Sequence, residues 1–132
     1  MLSSSKNVNR RAGRQLAAPV AAGSVIHRGA LVVLENGLAK PGHEAVGLTA
    51  IGIAEKPADN SGKADGETSV LVERDDWFFL VIDDADPITR VQINQPCFIV
   101  DDETVAATDG GGTRSKAGTV RDVQDGGVWI EF

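Results

Sequence analysis

Glycines, prolines and paired acids cut this chain into short apolar runs, and that punctuation limits its fold more than any other feature. Residues 24–27, 30–34, 38–40, 48–54, 68–74, 77–82, 97–100, 104–108, 116–123 and 128–132 each hold three to eight residues, with valine and isoleucine frequent. Runs this short, bounded by turn residues, suit strands and leave no room for long helices. Thr68-Ser-Val-Leu-Val-Glu-Arg74 alternates its faces as a half-buried strand does. Glu35-Asn36-Gly37 is a hairpin turn, because Asn-Gly accepts the positive φ that tight hairpins demand. Gly47 and Gly52 around the 48–54 run suggest close backbone approach or a bulge. Gly-rich turns are expected at 109–112 and 125–127. The fold class that follows is all-β, a small β-barrel or β-sandwich. One short helix is expected over 86–91, where Asp86 offers an N-cap and Pro87 a first helical residue.

The chain's end is apolar as well. Val128-Trp-Ile-Glu-Phe132 carries side chains that are costly to leave in water, so the last strand is expected to pack. Trp77-Phe78-Phe79-Leu80-Val81-Ile82 is the most apolar run. It suits a strand buried on both faces, or buried on one and covered by another subunit on the other. Its aromatics, with Phe98, Trp129 and Phe132, are read first as core. Trp77 and Phe79 are the best interface candidates, since aromatics are enriched at interfaces and neighbours on a strand point to opposite faces.

At 132 residues the chain accommodates one domain with a sizeable core. Charge divides it in two. The first 34 residues hold five basic side chains, Lys6, Arg10, Arg11, Arg14 and Arg28, and no acid; the rest holds eight basic and 19 acidic residues, a net of −11. Residues 1–18 read as a flexible basic N-terminal arm, polar at first and extended around Pro19, with residues 19–132 as a single β-rich domain. A basic arm on an acidic body suits docking onto an acidic partner or a neighbouring copy. Four basic residues without aromatics make a thin footprint for nucleic acid, which is not expected as a partner. No apolar run approaches the roughly eighteen residues of a membrane span, and no signal-peptide core precedes a cleavage site.

Patterns that carry chemistry are weak. Residues 109–116, Asp-Gly-Gly-Gly-Thr-Arg-Ser-Lys, lack the Gly-Lys-Ser/Thr order and following helix of a phosphate loop and read as a flexible hairpin turn. Residues 59–70 have the length of a calcium loop, yet Ala64 stands where glycine makes the sharp turn and Val70 where a bidentate glutamate belongs. The acid clusters 83–86 and 101–103 read as exposed turns. His27 and His43 have no ligand spacing, and no serine lies in a Gly-x-Ser-x-Gly elbow. Lys56 lies between strands as a carrier lysine does, but Pro57 and the long following loop spoil the tight hairpin. Cys97, the only cysteine, sits in an apolar run and reads as a buried, inert thiol. No catalytic residue, metal or cofactor is expected.

Pro19-Val-Ala-Ala-Gly-Ser-Val-Ile-His-Arg-Gly-Ala-Leu-Val-Val-Leu-Glu-Asn-Gly-Leu-Ala-Lys-Pro41 resembles the opening of tailed-bacteriophage head decoration (capsid cement) proteins. Ile51-Gly-Ile-Ala-Glu55 resembles their Ile-Gly-Val-Ala strand. Asp101-Asp-Glu-Thr-Val105, Thr113-Arg-Ser-Lys-Ala-Gly-Thr-Val120 and Gly127-Val-Trp-Ile-Glu131 resemble their C-terminal strands. The likeness runs over residues 19–132 through the order and spacing of these motifs. It implies a non-enzymatic module on the exterior of the virion capsid, made in the host cytoplasm. Its partners are then the major capsid protein and itself, as a homotrimer that clamps neighbouring capsid subunits. Arm ordering on docking costs roughly 1–2 kcal/mol per residue, set against burial of Val8, Leu16 and Val20 and pairing of Lys6, Arg10, Arg11 and Arg14. Whether the arm meets capsid or a neighbouring copy is open. The competing readings are a small carbohydrate-active or hydrolytic β-domain, which requires a deep polar cleft, and a virion fibre or tail module.

Overall fold

A computed structural model describes all residues, Met1–Phe132. The chain is nearly all β. Its strands are β1 (Gln15–Pro19), β2 (Val25–Ile26), β3 (Leu31–Glu35), β4 (Leu38–Pro41), β5 (Thr49–Ala54), β6 (Ala58–Asp59), β7 (Ser69–Glu73), β8 (Trp77–Ile82), β9 (Pro96–Ile99), β10 (Thr104–Ala106), β11 (Lys116–Gln124) and β12 (Gly127–Glu131).

The first half forms a sheet in the order β1-β7-β5-β3-β4. Its two outer strands meet through a bridge between Val20 and Ala39, with Ala21 N donating to Ala39 O at 3.0 Å. The sheet therefore curls almost shut around Ala18, Val20, Val32, Ala39, Ile51, Val70 and Val72. The small β2–β6 ladder adds Ile26 and Ala58 to that core. The second half is a closed barrel in the order β10-β8-β12-β11-β9, in which only β10 and β8 run parallel. Leu80, Cys97, Ile99, Val105, Val120, Val128 and Ile130 belong to its core.

β3 joins the two halves. Its run Leu31-Val32-Val33 is buried throughout, and alternation sends Val32 to the first core while Leu31 and Val33 join the second. Leu31 N also donates to Asp102 O at 2.7 Å, tying the strand to the β9–β10 turn. The β3–β4 hairpin turns on Asn36 and Gly37, both at positive φ (51° and 80°), which matches the twist of the flanking strands. Opposite the Val32–Val33 step β5 carries a bulge, with Ile51 as the extra residue next to Gly52, as glycine at that position suggested.

Four expectations need correction. The arm is shorter than residues 1–18: Gln15–Pro19 form β1, paired antiparallel with β7, because Leu16 and Ala18 fall on the face that meets the first core. The helix over 86–91 is a single 3-10 turn, Arg90–Gln92, capped by Thr89, whose backbone N–H donates to Gln92 Oε1 at 2.7 Å. Asp86 does not cap it. Its Oδ2 accepts from Thr108 N at 3.0 Å, from the Thr108 hydroxyl and from Arg114 Nη1 at 3.1 Å, while Ile88 is drawn into the core. The glycines at 110–112 do not make a hairpin, since β9 lies between β10 and β11 in the barrel. They form a crossover in which Asp109 O accepts from the backbone N–H groups of Gly112, Thr113 and Arg114. Finally, of the two readings of β8, burial on both faces within the chain is the one to correct: Leu80 is inside while Trp77, Phe79 and Val81 are exposed, as the alternative of one buried face has it.

Asp86 gives the fold a pH dependence. Hydrogen bonding from Thr108, aided by Arg114, holds its carboxyl below the ordinary aspartate value. A depressed folded pKa stabilises above the unfolded value of about 3.9 and is lost as pH falls through the folded value. Urea midpoints should therefore drop as pH is lowered below about 4. Asp86→Asn should lower the midpoint at pH 7 and flatten that acid limb. An unchanged limb would show that other carboxyls set it.

Candidate docking surface

The exposed side of β8 builds a continuous aromatic face. Period-two alternation places Trp77, Phe79 and Val81 outward, at 53%, 44% and 45% exposure. β12 pairs antiparallel with β8, setting Trp129 opposite Phe79 and Glu131 opposite Trp77. The Phe79 and Trp129 rings lie 5.1 Å apart, tilted by 50°. Phe79 also leans over Gly127, where a β-carbon would come within 2.6 Å of its ring, so the glycine makes room for the ring. On the opposite side of the same strands Phe78 meets Phe132 at 5.6 Å and helps to close the inner layer. Closed hydrogen bonding holds the face rigid. Its side chains are solvated on a backbone that has no freedom to withdraw them.

The surround is mostly acidic. Asp75 and Asp76 precede Trp77, Asp83 and Asp84 follow Ile82, and Asp122 sits opposite Trp129 on β11. Arg121 holds Glu131 at 2.7 Å and Arg90 reaches Asp122 at 3.3 Å, so those two acids are partly neutralised.

The arm residues fall into two groups. Lys6, Val8, Arg10 and Arg11 are exposed, with no ion pair to any of the three cations and Val8 at 71% exposure. Arg14, Leu16 and Val20 belong to the body. Arg14 pairs with Glu73 at 3.2 Å and Asp76 at 2.9 Å, and its backbone carbonyl accepts from Arg74 N at 3.0 Å. The Gln15 amide and then the Arg14 guanidinium hold Glu73 below the usual carboxylate range. Leu16 packs against the first core and Val20 is fully buried in it, so neither is free to dock elsewhere. Val81 and Trp129, by contrast, join Trp77 and Phe79. Two-residue alternation from Trp77 signals Val81; Trp129 needs the β8–β12 register, which is not local information.

The remaining surface holds two open depressions. One, of about 300 Å³, lies between Leu48–Ala50 and Lys116–Thr119, next to Glu131 and Phe132. The other, of about 270 Å³, is lined by His27, Arg28, Asp102 and Glu103. The carboxyls whose pKa moves, Glu35, Asp59, Glu73 and Asp86, all move down, each chiefly through a side-chain hydrogen bond, from Lys40, Ser61, Gln15 and Thr108 respectively. In the 59–67 loop, Asp59 accepts from Ser61 N, Asp65 from Ala22 N and Glu67 from Ala64 N, so the acids turn to their own backbone. Cys97 is buried in the second core, and burial pushes its thiol up to about 11, which keeps it protonated at neutral pH. No protein-family model, curated protein or solved structure matches this chain.

Proposed function

We propose that this chain is a non-enzymatic structural protein that binds the outer surface of a phage capsid and stiffens contacts between major capsid subunits, acting as a trimer. The single observation that carries the reading is a solvated aromatic face beside a basic arm whose Lys6, Arg10 and Arg11 make no ion pair. Soluble proteins seldom hold adjacent large aromatics in water without a partner. The resemblance of residues 19–132 to head decoration proteins supplies the partners, the major capsid protein and a second copy of the chain, either of which gives the face a cover, and the closed barrel supplies the plug. Many copies, each adding modest surface across a seam, make rupture require several interfaces to fail together.

Expanded empty heads incubated with the purified chain are the direct test. Saturable co-sedimentation and a higher disruption temperature of the decorated heads are expected. The paired substitution Trp77→Ser with Phe79→Ser should lower the chain's Tm by several degrees, through the lost Phe79–Trp129 contact, yet leave it folded at the assay temperature and reduce addition at least tenfold. Equal decoration by that variant would remove the aromatic face from the reading, and no addition by the natural chain would overturn the function.

A further inference from the structure

The aromatic face and the arm lie close together in the fold. β1 runs antiparallel to β7, so the chain traced back from Gln15 heads the same way as β7 does on its approach to β8. Arg14 then fastens the base of the arm to Asp76, the residue before Trp77. From that anchor residues 1–13 carry Lys6, Arg10 and Arg11 and no acid. The face they leave beside is bordered by Asp75, Asp76, Asp83 and Asp84. Two such faces would not pack on each other, because their acidic borders would be brought together.

We propose that the face of one copy is covered by residues 6–11 of a second copy's arm. Val8 packs on the Phe79 and Trp129 rings, and Arg10 and Arg11 stack on the indoles and pair with the bordering aspartates. Guanidinium groups suit this seat because they bind aromatic faces and carboxylates alike. The chain's own arm leaves the seat open. A segment tethered a few residues away has a millimolar effective concentration and would fill the face first if geometry allowed. Yet Val8 and Trp77 both stay solvated. Arm-to-face contact is head-to-tail, so repetition about one axis closes a ring. This names the self-contact of the proposed decorating protein, but it is tested without capsid. A ring that fails to decorate heads sinks the capsid reading alone, and decoration by a monomer sinks this one, and the trimer with it, while the capsid partner stands.

Sedimentation velocity of the purified full chain at low salt should show a closed oligomer that dissociates as salt is raised. Deleting residues 2–13, which keeps Arg14, and separately Arg10→Glu with Arg11→Glu, should each weaken association at least tenfold while far-UV circular dichroism stays unchanged. Neither change touches a residue packed in either core, so lost folding will not mimic the result. Mixing the deletion, which has a face and no arm, with Phe79→Ser, which has an arm and a damaged face, should give a heterodimer. A monomeric natural chain, or a deletion variant that still assembles like the natural chain, would overturn the proposal. So would a monomer whose tryptophan emission shifts on arm deletion, since that places the arm on its own face.

Discussion

Gly52→Val should lower the free energy of unfolding by about 4 kcal/mol or more, a large share of the roughly 5–15 kcal/mol that a domain possesses. Gly52 sits in β5 at φ 143°, next to Ile51, the extra residue of the bulge in that strand. An L side chain there is strained by about 1–3 kcal/mol. Its β-carbon would also press on the Glu73 carbonyl oxygen, far inside van der Waals contact, with the Arg74 β-carbon close behind. The obstacle is backbone, so no rotamer change relieves it, and β7 would have to move. That strand also pairs with β1 and sets the Arg14 anchor, so the damage spreads across the sheet. Gly37→Ala is the control. Gly37 also has positive φ, but nothing lies within 4 Å of its added carbon, so only conformational strain of about 1–2 kcal/mol is expected. Urea denaturation of both variants separates the two terms. Equal losses would mean that the Glu73 contact relaxes freely.

What the sequence reveals depends on how far apart the deciding residues are. The Asn36-Gly37 hairpin and the boundaries of β8 are written in adjacent residues, and both are visible without a structure. β1 is hidden because Gln15-Leu-Ala-Ala-Pro19 has no β-branched residue, ends in proline and follows the arm without a turn. Only pairing with β7, more than fifty positions later, makes Leu16 and Ala18 core. The glycines at 110–112 have hairpin composition, and what denies them that role is β9 lying between their flanking strands, a fact of barrel order. Asp86 looks like a cap in its own segment and is claimed instead by Thr108 and Arg114. At the candidate site, alternation picks out Trp77 and Phe79. Composition does not reveal that this face is left in water, because a buried β8 would need the same side chains. The continuous run Leu31-Val32-Val33 does carry a signal, since a strand with no polar face must be covered on both sides.

That two-sided burial sets the second large effect. Leu31→Ala removes a fully buried side chain from the second core and should cost about 3 kcal/mol, and Val32→Ala, facing the first core, about 2 kcal/mol. For a chain of this size the first should shift Tm by roughly 10 °C. The sharper question is whether each lesion is felt across β3. Both tryptophans, Trp77 and Trp129, lie in the barrel of the second half, so their emission reports that half, whereas far-UV circular dichroism reports both. With β3 contributing to both cores and Leu31 N bonded to Asp102 O, neither half keeps its interior when the other opens. Val32→Ala should therefore lower the midpoint of tryptophan emission as much as that of circular dichroism, although the lesion faces away from both indoles. Separation of the two curves in Val32→Ala, with the emission midpoint unmoved, would mean that the two halves unfold independently. In the proposed capsid role the chain would gain most if they do not, because force on either half must then break both cores at once.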